Sequence, residues 1–188
     1  MVKKKKACVF ISGSGTNLRS IIKNSRDYNF PININLVISN KKGAGGIYFA
    51  KKFSIPHIIL DVSKEKFEKI ALKELFNRKI KLICLAGFMS VLSKRFVRNF
   101  KGTIINIHPS LLPKYKGLNT FKRVLNAGEK MTGCTVHFVN EKLDNGKTII
   151  KKRVSINIGD NPEMLKKKIQ LEEYKAYSIA IRKIYNLS

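Results

Sequence analysis

Acidic residues are scarce in this chain of 188 residues: Asp and Glu total 12 against 38 Lys and Arg, a formal net charge of +26. So basic a balance can indicate a nucleic acid or another polyanion as partner. The lysines, however, are scattered along the whole chain and do not alternate with aromatic residues on one element. We therefore expect the charge to steer phosphorylated small molecules, and we do not expect nucleic acid as the main partner.

Long apolar runs and paired cysteines are also missing. No run approaches the eighteen or so apolar residues that a membrane span requires, and the stretch from Ala7 to Ile11 is too short for a secretory signal. The cysteines Cys8, Cys84 and Cys134 are odd in number and form no C-x-x-C pair, which argues against disulfide, zinc and redox sites. We expect a cytoplasmic protein with buried free thiols, no membrane contact and no metal.

No internal repeat, low-complexity tract or Pro/Gly-rich linker divides the chain, so we predict one domain over residues 1–188. Near-continuous apolar runs rich in β-branched residues alternate with amphipathic runs. This alternation is typical of parallel strands that are buried on both faces and joined by helical crossovers. We predict strands over 7–12, 34–39, 57–60, 82–87 and 103–108, and helices over 17–24, 44–53, 64–77 and 93–100.

The pattern changes after the fifth predicted strand. The runs 134–139 and 148–156 are separated by a polar segment with Asn145-Gly146, which predicts a pair of antiparallel strands. A long helix should run from about Asn161 to Ile184, capped by Asp160 or Asn161 and with Pro162 in its first turn. The predicted fold class is therefore α/β. We expect a single Rossmann-like domain with a mostly parallel central sheet flanked by helices, antiparallel strands added at one edge, and a long C-terminal helix.

A glycine-rich loop, Ser12 to Asn17, joins the first strand to the first helix. Glycines let backbone N–H groups approach an anion closely, and the helix N-terminus adds a positive dipole. The dinucleotide fingerprint is not met, because Leu18 occupies the place of its third glycine and the second strand ends in SNKK without an acidic residue. The loop thus favours a phosphate monoester, and a tight turn without a ligand is the alternative.

Two polar side chains end the apolar strand TIINIH. A period of two places Asn106 and His108 on one side of the strand, at the end where open parallel sheets bind ligands. An amide donor beside an imidazole suits a carbonyl that becomes a tetrahedral oxyanion. Asp144 could orient the imidazole, although its Asp-Asn-Gly context is equally good turn chemistry. We interpret the other two histidines, His57 and His137, as structural.

The segments NIHPSLLPKYKG and GCTVHFVNEKLDNG resemble the formyltransferases that use 10-formyltetrahydrofolate. The segments ISGSGTNL, SNKKGAGG, LAGFM and QLEEYKAY narrow the resemblance to the phosphoribosylglycinamide formyltransferases of purine biosynthesis, over about residues 7 to 185. The resemblance implies a cytoplasmic transferase of one-carbon metabolism. It would pass the formyl group of 10-formyltetrahydrofolate, a co-substrate, to the amine of 5-phosphoribosylglycinamide through a tetrahedral intermediate. The sequence does not decide whether the chain forms a homodimer.

The resemblance also implies roles for individual residues. Asn106 would bind the formyl oxygen, His108 would be the general acid, and Asp144 would orient the imidazole and raise its pKa. The residues that bind phosphoribosylglycinamide would be Gly15, Thr16, Asn17, Gln170 and Glu173. Those that bind folate would be Lys64, Met89, Ser90, Val91, Leu92, Asn106, Asn140, Glu141 and Asp144. Residues 1–100 would form the mononucleotide-binding half and 101–188 the catalytic and folate half, with a cis peptide before Pro113.

Three alternative functions remain open. Two share the formyl donor: a formyltetrahydrofolate hydrolase and a methionyl-tRNA formyltransferase-like enzyme. Both carry an added domain for which 188 residues leave no room. The third is a basic binding module without catalysis, against which the presence of Asn106, His108 and Asp144 argues.

Overall fold

The computed structural model describes residues 3–186, so residues 1–2 and 187–188 of the predicted domain lie outside the described part. The strands are β1 (Lys5–Ile11), β2 (Ile32–Ser39), β3 (His57–Ile59), β4 (Leu82–Leu85), β5 (Thr103–His108), β6 (Met131–Phe138) and β7 (Thr148–Ser155). The helices are α1 (Thr16–Ser25), α2 (Gly46–Lys52), α3 (Lys64–Asn77), α4 (Lys94–Asn99), α5 (Thr120–Asn126) and α6 (Pro162–Ile184).

The strands follow the order β3-β2-β1-β4-β5-β6-β7 in one seven-stranded sheet. β1 pairs in parallel with β2 and β4, β2 pairs in parallel with β3, and β6 and β7 are antiparallel. The predicted fold class, a mostly parallel α/β sheet with antiparallel strands at one edge and a long C-terminal helix, is confirmed. The chain divides into two compact units, Met1–Ile105 and Asn106–Ser188, which are described separately.

The first unit is built around β1, whose residues from Ala7 to Ile11 are fully buried. The Phe10 ring meets the rings of Phe67 and Phe96 edge-on, with centroids 5.6 and 6.1 Å apart. Helix α3 buries Phe67, Ala71 and Leu75, and full burial of a large apolar side chain is worth about 1.5–3 kcal/mol. At the start of α3, the Ser63 side chain accepts a bond from the Lys66 N–H, so capping and periodicity agree on where this helix begins.

In the second unit, α6 packs against β6 and β7. Its residues Leu165, Ile169 and Tyr177 are buried. The Asn161 side chain accepts a bond from the Met164 N–H at 2.9 Å, and proline occupies the first turn. Of the two caps that the sequence allowed, Asn161 is therefore the one that the helix uses. Within residues 3–186, no helix combines the length and the apolar character that are needed to cross a membrane.

Helix α5 is absent from our sequence prediction. Its N-cap residue, Asn119, has a left-handed backbone conformation, with φ of 57°, and makes no side-chain capping bond. Asn is a favoured N-cap residue type, so the start of α5 is compatible with the sequence. The helix was missed because it spans only seven residues and buries only Thr120 and Val124, too few for an apolar period to be recognised.

Candidate active site

Asn106, His108 and Asp144 are in contact within the second unit. Asn106 and His108 lie at the carboxyl end of β5, and Asp144 lies in the connection between β6 and β7. His108 Nδ1 is 3.3 Å from Asp144 Oδ2, and Asn106 Nδ2 is 3.5 Å from Asp144 Oδ1. His108 and Asp144 are both buried, at 5% and 8% exposure. An imidazole, an amide and a carboxylate thus form one cluster, as period two and the resemblance anticipated.

Asp144 is fixed by its surroundings. Its backbone is left-handed, with φ of 45°, and its Oδ2 accepts a bond from the Gly117 N–H at 2.9 Å. Burial alone would raise the pKa of Asp144, but its contacts with His137, Gly117 and His108 outweigh that effect and hold the pKa below its usual value. The side chain is therefore a carboxylate at neutral pH.

Both ring nitrogens of His108 face oxygen acceptors. Nε2 is 2.8 Å from the backbone oxygen of Tyr115, and Nδ1 faces the carboxylate of Asp144. Burial lowers the pKa of His108 and outweighs the Tyr115 carbonyl and the Asp144 carboxylate, which both raise it. Asp144 thus acts on this pKa in the predicted direction, and it is burial that makes the net shift downward.

The His108 geometry has two chemical consequences. A doubly protonated ring satisfies both acceptors, whereas a neutral ring turns one lone pair toward an oxygen atom. His108 can therefore hold a second ring proton, and because burial lowers the pKa of the ring, this proton is readily released. The Tyr115 carbonyl also covers Nε2, so a substrate atom reaches this nitrogen only by displacing that carbonyl.

His137 belongs to the same cluster, although its sequence context led us to interpret it as structural. It is buried in β6, and its Nδ1 donates to the backbone oxygen of Phe138 at 2.8 Å. Its Nε2 lies 3.3 Å from Asn106 Nδ2 and 3.6 Å from Asp144 Oδ1. The signal that could have revealed it is the presence of two polar residues, Thr135 and His137, in an otherwise apolar run.

The segment that follows His108 is held by buried polar contacts. Thr135 Oγ1 donates to the Ser110 carbonyl at 2.7 Å and accepts from the Leu112 N–H at 3.1 Å. Lys151 Nζ donates to the Leu112 carbonyl, and the Leu112–Pro113 peptide is cis, as the resemblance implied. The backbone beyond the imidazole is thus anchored to both antiparallel strands.

The glycine loop of the first unit has the predicted position between β1 and α1. Gly15 is the N-cap residue of α1 and has a φ of +75°. A Cβ atom at this position would lie 2.3 Å from the Gly46 Cα atom, whereas one on Gly13 would meet nothing within 4 Å. Thr16 and Asn17 open the helix, and Asn17 is buried. The backbone therefore requires glycine at position 15, and the phosphate assignment stays a prediction.

Three strand ends of the first unit are tied together by Ser12. Its hydroxyl donates to Asn40 Oδ1 at 2.6 Å and accepts from the Met89 N–H at 2.8 Å. The segment 89–92 follows β4 and is largely open, with Met89 and Val91 exposed at 64% and 56%. Lys64 is exposed at the start of α3. The residues assigned to folate in this unit thus include exposed apolar side chains near the carboxyl end of a strand.

The remaining predicted site residues lie in the second unit. Gln170 and Glu173 are on α6, and Glu173 is buried. Burial raises the pKa of the Cys134 thiol to about 12, with a further contribution from the charge of Glu173. Asn140 Nδ2 donates to the Asn145 carbonyl at 3.3 Å, beside Asp144. Glu141 also lies in this connection. The roles of these residues stay predictions.

Over residues 3–186, no group of three or more acidic, histidine and cysteine side chains is arranged to hold a metal ion. The chemistry that the cluster can perform is proton transfer by an imidazole, charge stabilisation by a carboxylate, and hydrogen bonding to a developing oxyanion by an amide.

Other proteins resemble this chain in both sequence and fold. Residues 5–181 match the sequence model of the formyl transferase family. The chain is 40% identical over 183 residues to a phosphoribosylglycinamide formyltransferase of Haemophilus influenzae, covering 95% of this chain and 86% of that protein. It is 42% identical over 183 residues to the trifunctional purine biosynthetic protein adenosine-3 of Gallus gallus, covering 95% of this chain.

The chain spans 18% of the length of the Gallus gallus protein, and 14% of a trifunctional relative in Drosophila melanogaster. Among solved structures, the phosphoribosylglycinamide formyltransferase of Brucella melitensis superposes with a TM-score of 0.91 at 39% identity, over 97% of this chain and 96% of that one. That of Coxiella burnetii gives a TM-score of 0.87 at 43% identity, over 95% and 86%. The chain belongs to the formyl transferase family.

Proposed function

We propose that this chain transfers the formyl group of 10-formyltetrahydrofolate to the amine of 5-phosphoribosylglycinamide. The observation that carries the proposal is the contact of Asp144 with both His108 and Asn106 at the carboxyl end of β5. Support also comes from relatives of nearly the same length that are named for this activity. A cytoplasmic location fits the three buried free thiols.

The first step is attack of the substrate amine on the formyl carbon, which forms a carbon–nitrogen bond and moves negative charge to the formyl oxygen. An Asn106 N–H is suited to hold that oxygen. Its present contacts with His137 and Asp144, at 3.3 and 3.5 Å, are long for hydrogen bonds. A negatively charged oxygen at ordinary distance is a stronger acceptor and would replace them.

The second step breaks the bond between the formyl carbon and the folate nitrogen. This nitrogen gains one proton while the attacking nitrogen loses one, so the overall reaction needs no other reactant. His108 can give the first proton as an imidazolium and recover the second as an imidazole. The low pKa that burial imposes on His108 favours release of the proton, and the charge of Asp144 stabilises the imidazolium between turnovers.

The substrates would be held by the two predicted residue sets. The phosphate of the ribonucleotide would lie on the N–H groups of Gly15, Thr16 and Asn17, with Gln170 and Glu173 toward its glycinamide. The folate would contact Lys64, Met89, Ser90, Val91, Leu92, Asn140 and Glu141. Support for the first set is the crowding that excludes a side chain at position 15. Support for the second is the exposure of Met89 and Val91.

A spectroscopic assay of folate deformylation tests the proposal. Wild-type protein should consume 10-formyltetrahydrofolate only when 5-phosphoribosylglycinamide is present, and His108→Ala should lower turnover about 10²–10⁴-fold. Consumption by water alone would identify a hydrolase instead, and no consumption under either condition would identify a binding module. Near-normal turnover of the His108→Ala variant would rule out the mechanism.

A further inference from the structure

Helices α1 and α2 carry cationic and aromatic side chains that interleave on the first unit. Arg19, Lys23 and Arg26 follow one another at spacings of four and three residues, which places them on one face of α1 and its C-cap. Tyr48 and Lys52 lie four residues apart on α2, and so do Phe49 and, just beyond the helix end, Phe53. We name these seven residues the cation–aromatic surface.

The contacts within this surface are between cations and ring faces. The guanidinium of Arg19 lies 5.7 Å from the centre of the Phe49 ring, and that of Arg26 lies 4.6 Å from the centre of the Phe53 ring. Lys52 Nζ is 5.8 Å from the centre of the Tyr48 ring. Tyr48 is 60% exposed. The surface thus presents π faces at positions where cations are already attracted to them.

Two adjoining grooves run over the surface. One, of about 350 Å³, is lined by Arg19, Lys23, Tyr48, Phe49, Lys52 and Phe53. The other, of about 450 Å³, shares Phe53 and continues past Arg26 to Asn33 and Asn35 of β2. The Asn35 Oδ1 atom is buried and has no hydrogen-bond partner. The two grooves together therefore present cations, ring faces and an amide along one continuous course.

Negative charge is almost absent from this part of the chain. Residues 1–60 contain eleven Lys and Arg but one acidic residue, Asp27, and no acidic side chain lines either groove. Lysines do not alternate with aromatic residues along most of the chain, but on α2 and its C-cap Lys51 and Lys52 stand between Phe49 and Phe53. The packing of α1 beside α2 adds the cations of α1 to this group.

We propose that the cation–aromatic surface binds single-stranded nucleic acid, in addition to the proposed enzymatic activity. Proteins that bind single strands without sequence preference combine a positive groove for the phosphates with aromatic rings on which bases stack. Duplex DNA offers phosphates, but its bases are stacked on one another and cannot reach the rings. An anionic membrane offers charge but no bases to stack on Tyr48, Phe49 and Phe53.

The test compares two triple variants, each of which removes two positive charges and one exposed aromatic ring. The test variant combines Lys23→Gln, Tyr48→Ala and Lys52→Gln. The control variant combines Lys69→Gln, Lys73→Gln and Phe76→Ala on α3, where all three side chains are exposed. Binding of a fluorescein-labelled oligouridine of about 15 nucleotides is followed by anisotropy between about 50 and 200 mM KCl. Thermal unfolding of both variants establishes that they are folded.

The test variant should bind at least about tenfold more weakly than the control, because base stacking alone is worth about 1–3 kcal/mol per base. Its slope of log affinity against log salt should be smaller by about 1.4, that is, about 0.7 for each of two lost phosphate contacts. Tyr48→Phe should keep the affinity that Tyr48→Ala loses.

Three results would overturn the proposal. Equal weakening in the test and control variants would mean that net charge alone binds the oligonucleotide. Equal affinity of Tyr48→Ala and Tyr48→Phe would exclude stacking on this ring. Tighter binding to duplex DNA, or to vesicles of anionic phospholipid, than to the single strand would assign the surface to another partner. None of these results depends on formyl transfer, so the proposed function can fail or stand independently.

Discussion

Replacing Asp144 by Asn removes the negative charge beside His108 and keeps the shape of the side chain. Oδ2 accepts from the Gly117 N–H at 2.9 Å and faces His108 Nδ1 at 3.3 Å. Oδ1 faces Asn106 Nδ2 at 3.5 Å and His137 Nε2 at 3.6 Å. The Gly117 N–H excludes an amide NH₂ group from the Oδ2 position, and an NH₂ group at the Oδ1 position loses only the long contact with Asn106. The variant should therefore fold, with its remaining oxygen still directed at Gly117 and His108.

The expected effect is on the protonation of His108. Burial lowers the pKa of this residue and the Asp144 carboxylate raises it, so removing the carboxylate lowers the pKa further. The imidazolium fraction at neutral pH falls about tenfold for each unit that the pKa decreases. Turnover that needs the imidazolium falls with it, to a limit of about 10²–10⁴-fold, the contribution of a general acid.

The assay is the pH dependence of kcat together with an NMR titration of the His108 ring protons. Both should show a lower pKa in Asp144→Asn than in the wild type. Asp160→Asn is the matched control, because Asp160 is also a carboxylate with a lowered pKa, held by Lys168 at 2.6 Å and the Asn157 N–H at 2.8 Å. The control should leave the profile unchanged. An unchanged His108 pKa and turnover in Asp144→Asn would refute the reasoning.

Asp144→Asn should also change how the stability of the protein depends on pH. The folded-state pKa of Asp144 lies below its ordinary value, so its ionised form contributes stability above the unfolded pKa, about 3.9. That contribution is lost as pH falls through the lower folded pKa. In urea unfolding at about pH 7, the free energy of unfolding should be higher for the wild type than for Asp144→Asn by an amount that depends on this charge. That charge-dependent amount should shrink toward about pH 3. A difference that grows on acidification would contradict the sign.

The remaining predictions concern residues around this cluster and in the glycine loop. His137→Leu should lower kcat only about three- to tenfold, the worth of one hydrogen bond; a loss as large as that of His108→Ala would reassign the proton carrier. Thr135→Val should lower the unfolding free energy by about 1–3 kcal/mol in urea, because two buried backbone groups lose their partner, whereas Thr135→Ser should not. Gly15→Val should raise KM for 5-phosphoribosylglycinamide far more than KM for the folate, and equal increases would show that the loop is misassigned.

Local sequence patterns predicted most of the elements. Helix α3 has the predicted bounds, Lys64–Asn77, because the apolar spacing that predicted it lies within the helix itself. Strands β1 and β4 were found because continuous burial on both faces requires continuous apolar sequence. Helix α5 was missed because it has seven residues and only two of them, Thr120 and Val124, are buried, which leaves no clear apolar period. The side-by-side arrangement of Asn106 and His108 also followed from the strand period alone.

The sequence by itself therefore determined the fold class, the glycine loop and the polar pair at the strand end, since each depends on residues only a few positions apart. Only the tertiary structure decided that Asp144 reaches His108, that His137 joins them, and that burial outweighs the carboxylate in setting the His108 pKa. Contact across dozens of residues and exclusion of water are properties of the packed chain. No local period encodes them, because they arise only when distant segments are brought together.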